Sequence, residues 1–91
     1  SVKYNITIKK EALEDMQYFA KRDRVIFNKI RELIEELENR PFSGRGRPEP
    51  LKFQLSSCWS RRITLEHRLV YKVEGQQVII LGCRHHYSTL H

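Results

Sequence analysis

The chain has 91 residues, 40% hydrophobic and 31% charged, so it has room for one modest core and is expected to be a single soluble domain over residues 1–91. No apolar run approaches the roughly 20 residues that cross a bilayer, and the first residues lack a secretory signal's apolar stretch, so a cytoplasmic protein with no membrane partner is expected. Residues 1–39 hold eight of the 17 Lys/Arg and eight of the 11 Asp/Glu, so the whole net charge of +6 lies in residues 40–91 and points to a polyanion-binding surface there.

Val2, Tyr4, Ile6 and Ile8 alternate with Lys3, Asn5 and Thr7, which predicts a half-buried strand. Ala12, Leu13, Met16, Phe19 and Ala20 then recur at helical spacing. Arg22-Asp23-Arg24 is a polar junction. Ile26, Ile30, Leu33, Ile34 and Leu37 form the apolar face of a second helix, and Lys29, Arg31, Glu32, Glu35 and Glu36 form its polar face. The two helices are expected to be an antiparallel hairpin laid on a sheet, with Pro41 ending the second. Residues 41–50 hold all three prolines and two of the four glycines and read as a loop. In it Pro48 and Pro50 restrict the backbone around Glu49.

Strands are predicted around Trp59–Thr64, Arg68–Val73 and Val78–Arg84, with Glu74-Gly75-Gln76-Gln77 as a hairpin turn. The order is β-α-α-β-β-β, an α+β domain with a mostly antiparallel sheet covered on one face. Alternation puts Arg68, Val70 and Lys72 opposite His67, Leu69, Tyr71 and Val73, and Ser60, Arg62 and Thr64 opposite Trp59, Arg61 and Ile63. Basic side chains on the uncovered face would make a phosphate-binding floor. Trp59 and Tyr71 are expected to be core aromatics.

The chemistry-bearing residues are few. Cutting RNA without a metal needs a base for the 2′-hydroxyl, an acid for the leaving 5′-oxygen and cations for the phosphorane. Glu49, His86, Arg68 and the nearby lysine and arginines can supply these parts. Neither metal nor cofactor is expected. Cys58 and Cys83 have no CxxC spacing and read as reduced thiols; His85 and His86, adjacent on a strand, point apart. Gly44-x-Gly46 lacks the third glycine of a dinucleotide loop and is not a P-loop.

The order of Pro41-Phe42-x-Gly44-x-Gly46-x-Pro48-Glu49-Pro50-Leu51-Lys52, Trp59-Ser60-Arg61-Arg62-Ile63-Thr64, Glu66-His67-Arg68-Leu69-Val70-Tyr71 and Cys83-Arg84-x-His86-Tyr87 resembles the YoeB/Txe toxins of the RelE superfamily. The likeness is specific from Pro41 to Tyr87; over residues 1–40 it rests on the strand–helix–helix layout. It implies a RelE-like fold and a ribosome-dependent mRNA endonuclease acting in the ribosomal A site. It implies homodimers on the ribosome, a YefM-like antitoxin, and operator DNA bound only as the toxin–antitoxin complex. Carried over, Glu49, Arg68, His86 and Tyr87 are the catalytic set, with the base and acid roles of Glu49 and His86 left open. Lys52 and Arg62 match supporting basic positions, and Arg45, Arg47 and Arg61 join them as RNA-binding candidates. Ser88–His91 extend beyond the family's usual end, and His85 stands where Tyr is common. The alternatives are a non-catalytic RNA- or ribosome-binding module, and a gyrase-targeting toxin of the same superfamily.

Overall fold

In a computed structural model, residues 3–51 and 57–84 are described. They form β1 (Asn5–Ile8), α1 (Lys10–Arg22), α2 (Arg24–Leu37), β2 (Glu49–Pro50), β3 (Cys58–Arg62), β4 (Arg68–Glu74) and β5 (Gln77–Gly82). The order along the five-stranded sheet is β1-β5-β4-β3-β2. Three pairings are antiparallel, and β1 runs parallel to β5. The fold is therefore α+β, as expected, with a mixed sheet.

The polar junction at Asp23 is both the C-cap of α1 and the N-cap of α2. Its extended backbone breaks the helical path, its N–H donates to the Phe19 carbonyl, and its Oδ1 accepts from the Ile26 amide at 3.2 Å. A carboxylate here satisfies an otherwise orphaned amide of α2's first turn. The apolar stripe of α2 buries Ile30, Leu33 and Leu37 against Ile63, Leu69, Tyr71, Val78 and Ile80 of the sheet side, with Ala12 and Phe19 from α1. Tyr4 and Ile6 pack on this core, whereas Ile8 is exposed and Val2 lies outside the described residues.

Three boundaries differ from the sequence reading. The second helix ends at Leu37, before Pro41, because the Glu38, Asn39 and Arg40 amides turn back onto the Glu35 and Glu36 carbonyls. Strand β3 stops at Arg62, where Thr64 Oγ1 accepts from the Glu66 and His67 amides and closes a turn. Strand β5 stops at Gly82, since the Cys83 amide donates to Asp15 Oδ2 at 3.0 Å. The two-residue turn at Gly75-Gln76 is as expected, with Gly75 at φ +59°.

The face away from the helices is not bare. Leu51, Cys58 and Val70 form a second, smaller buried cluster there, with Leu81 against it. A bulge between Val70 and Tyr71 re-aims β5, so that Val70 faces Gly82 while Tyr71 faces Ile80. Polar residues occupy only part of that face.

Candidate active site

Glu49 was expected in the loop; it begins the edge strand β2 instead, opposite Ser60. The Leu51 amide donates to the Cys58 carbonyl at 2.9 Å, so the amide position of residue 50 points away from β3. Pro50, which has no N–H, therefore suits this edge. Ser60 in turn faces Val70, and Arg62 faces Arg68. Directly paired residues share a sheet face, so Glu49, Ser60, Arg62, Arg68 and Val70 all point away from the helices. Glu49 and Arg62 are exposed and Arg68 is half-buried.

Arg62 and Arg68 are directly opposed across the β3–β4 ladder. Side chains so placed have Cβ atoms about 5 Å apart, and like charges there are destabilising. Among the described residues neither has an ion-pair partner, and the Arg68 Nε and Ser60 Oγ are buried without hydrogen-bond partners. Two uncompensated guanidiniums beside a carboxylate suit an anion with several oxygens.

Arg61 does not belong to this surface. Its neighbour Arg62 points outward, so alternation along the strand turns Arg61 toward the helices, where it is 0% exposed. There Nη1 donates to Glu36 Oε1 and to the Arg45 carbonyl, Nη2 to the Arg40 and Ser43 carbonyls, and Nε to the Tyr71 hydroxyl. Tyr71 Oη donates to the Pro41 carbonyl at 2.6 Å. Buried this way, Arg61 cannot bind RNA directly. Arg45, also a candidate RNA ligand, is exposed but has its guanidinium committed to Glu36 and Glu32 of α2. Arg47 is exposed, with φ +51°. The sequence reading missed Glu36 and Tyr71 as partners of Arg61. The signal was present in Arg61-Arg62 itself: adjacent strand residues face opposite ways, so one arginine had to enter the helix side.

The titrations follow these contacts. Burial raises the Glu36 carboxyl, but the Arg45 amide and the Arg61 and Arg45 guanidiniums outweigh it and hold it below its ordinary value. Burial pushes the Tyr71 hydroxyl up against the opposing pull of Arg61, which keeps it a donor. Burial raises the Cys58 thiol and pushes Cys83 up to about 12, with Asp15 adding to the latter; both cysteines are free and buried.

Two glycines let the loop pass close to this buried cluster. A Cβ on Gly44 (φ +115°) would lie 2.0 Å from Glu36 Oε1, and one on Gly46 (φ +82°) 2.9 Å from the Arg62 carbonyl. Lys52, His85, His86, Tyr87 and Ser88–His91 lie outside the described residues. The last described residue, Arg84, stacks its guanidinium on the Tyr18 ring, 3.5 Å from the centroid.

The strand–helix–helix–sheet arrangement, with its basic patch at the β2–β3–β4 end, is a RelE-like toxin fold. Residues 8–87 match the model of the YoeB-like toxins of bacterial type II toxin–antitoxin systems, and the chain belongs to that family. It is 51% identical over 77 residues to the toxin YoeB of Escherichia coli K12, covering 85% of this chain and 92% of that one. The YoeB dimer from Staphylococcus aureus superposes with a TM-score of 0.83 at 41% identity, covering 94% of this chain and all of that one. A YoeB–YefM complex from the same organism gives 0.82 at 39% identity, with the same coverage. No helix among the described residues is long and apolar enough to cross a membrane.

Proposed function

We propose that this toxin is a ribosome-dependent mRNA endonuclease, one RelE-like domain over residues 1–91, that halts translation in the cytoplasm. The observation that carries the reading is the opposed pair Arg62 and Arg68, without an ion-pair partner among the described residues, on the sheet face that Glu49 shares. Such a patch binds a phosphodiester, and a carboxylate beside it supplies proton-transfer chemistry.

The 2′-hydroxyl of the message attacks the adjacent phosphorus as its proton is taken. The P–O5′ bond breaks, and the 5′-oxygen leaves with a proton from the acid. The products are a 2′,3′-cyclic phosphate and a 5′-hydroxyl. Glu49 and His86 share the base and acid roles. Arg68, with Arg62 and Lys52, stabilises the dianionic phosphorane, and Tyr87 closes the site. RNA supplies its own nucleophile, so the scheme calls for neither metal nor cofactor. The structures of a YoeB dimer and a YoeB–YefM complex support a homodimer and a YefM-like antitoxin for this chain, and the homodimer is the form assigned to the ribosome. Operator DNA is assigned to the toxin–antitoxin complex only.

Primer extension on a message in a reconstituted translation system, with and without ribosomes, tests the reading. Cuts confined to ribosome-bound message are expected, and their rate should fall at least about 100-fold, to a residual but measurable level, with Glu49→Gln or His86→Gln. Near-wild-type cutting by both variants would end the mechanism. Tight ribosome binding without cutting would favour a non-catalytic module, and trapped gyrase–DNA complexes would favour a gyrase poison.

A further inference from the structure

We infer that the buried Arg61–Glu36 pair is a positioning device that sets where Glu49 stands, an inference resting on the reading of Glu49 as a participant in cleavage. The stretch between α2 and β2 is held from beneath. Its carbonyls at Arg40, Ser43 and Arg45 accept from the Arg61 guanidinium, Pro41 accepts from Tyr71, and Gly46 accepts from the Arg62 amide. The Arg45 amide donates to the Glu36 carboxylate that anchors Arg61. Glu49 follows Gly46 by three residues and opens the two-residue strand β2. The path delivering Glu49 to the sheet is thus dictated by one guanidinium that reaches no substrate itself.

Two physical arguments favour a geometric role over a purely stabilising one. A buried ion pair replaced by apolar residues of similar size often leaves stability unchanged. Burial of such a pair is therefore poorly explained by stability alone. The rigid five-donor fork of arginine can also satisfy several acceptors at set angles, which a lysine ammonium cannot reproduce. Displacements of about 1 Å in a reacting group cost on the order of 100-fold in rate, so a loosened loop should show in cleavage before it shows in folding.

The test is the double variant Glu36→Met/Arg61→Met, apolar and of similar volume, in the full chain. We expect native circular dichroism, ribosome affinity within about 3-fold of wild type, and single-turnover mRNA cleavage reduced about 100-fold. Arg61→Lys should not rescue. Exchange protection of the Leu51 amide, which bonds across β2–β3, should fall at least about 10-fold while amides of the β4–β5 ladder keep theirs. In a Glu49→Gln background the double change should cost no more than about 3-fold, because Arg61 acts through Glu49. If the double variant does not fold, Tyr71→Phe loosens the same loop at Pro41 and is read the same way. A folded variant that keeps Leu51 protection or cuts within about 3-fold of wild type overturns the inference, as does an equal loss on top of Glu49→Gln. Those outcomes leave the nuclease reading standing, whereas a wild type that never cuts removes both.

Discussion

The main-chain amide of Arg62 donates to the carbonyl of Gly46 at 2.6 Å. This bond fastens the loop after α2 to β3 at the residue whose side chain faces the candidate site. The loop reaches so close only because residue 46 has no Cβ.

Replacing that glycine should therefore be costly. Gly46→Ala must hold φ +82° with a Cβ against the Arg62 carbonyl and 3.1 Å from the Arg61 Cβ. We expect a loss of about 2–3 kcal/mol from clash and backbone strain together. Gly75→Ala shares the positive φ but meets nothing within 4 Å, and should cost about 1 kcal/mol. Urea unfolding of the two variants, side by side, separates contact from conformation; equal losses would contradict the close approach.

Stability should fall in acid partly through Glu36. Its folded carboxyl is held below the ordinary value of 4.5, so the stability it contributes is present above the unfolded pKa and is lost as pH drops through the folded one. At pH 7, Glu36→Gln should cost about 3 kcal/mol, because it leaves the Arg61 guanidinium buried without its counterion. The gap between variant and wild type should narrow as pH falls below about 4.5. Unfolding curves at pH 7, 5 and 3 measure it, and a constant gap would show that the carboxylate charge is not what matters.

Tyr71→Phe removes the donor to the Pro41 carbonyl and the acceptor for Arg61 Nε while keeping the ring. Buried partners left unsatisfied cost about 1–3 kcal/mol. For a domain of this size that is a drop of roughly 4–8 °C in Tm per kcal/mol. Calorimetry reads it directly, and an unchanged Tm would mean water replaces the hydroxyl.

Arg62→Gln should behave in the opposite way. It relieves the repulsion with Arg68 and sits exposed, so stability should stay within about 0.5 kcal/mol of wild type or rise. Cleavage should fall at least about 10-fold, and the slope of log affinity for single-stranded RNA against log salt should shrink by about 0.7. Loss of stability together with an unchanged salt slope would identify Arg62 as a structural residue.

Local pattern determined much of this protein. Period-two alternation at residues 3–8, the stripe from Ile26 to Leu37, the Asp23 junction and the Gly75 turn all follow from side-chain spacing and capping chemistry, which act within a few residues. The order of motifs from Pro41 onward was enough to reach the family. Arg62 and Arg68 stand apart in sequence, and only the register of β3 on β4 brings them face to face. The strand β2 exists because β3 offers it an edge; residues 41–50 carry no strand pattern of their own. Arg61 shows the division most sharply. In sequence it is half of a basic pair and reads as a ligand for RNA. Packing settles it otherwise, because a guanidinium turned under the helices must find acceptors there, and Glu36, Tyr71 and the loop carbonyls come from segments 10 to 25 residues away.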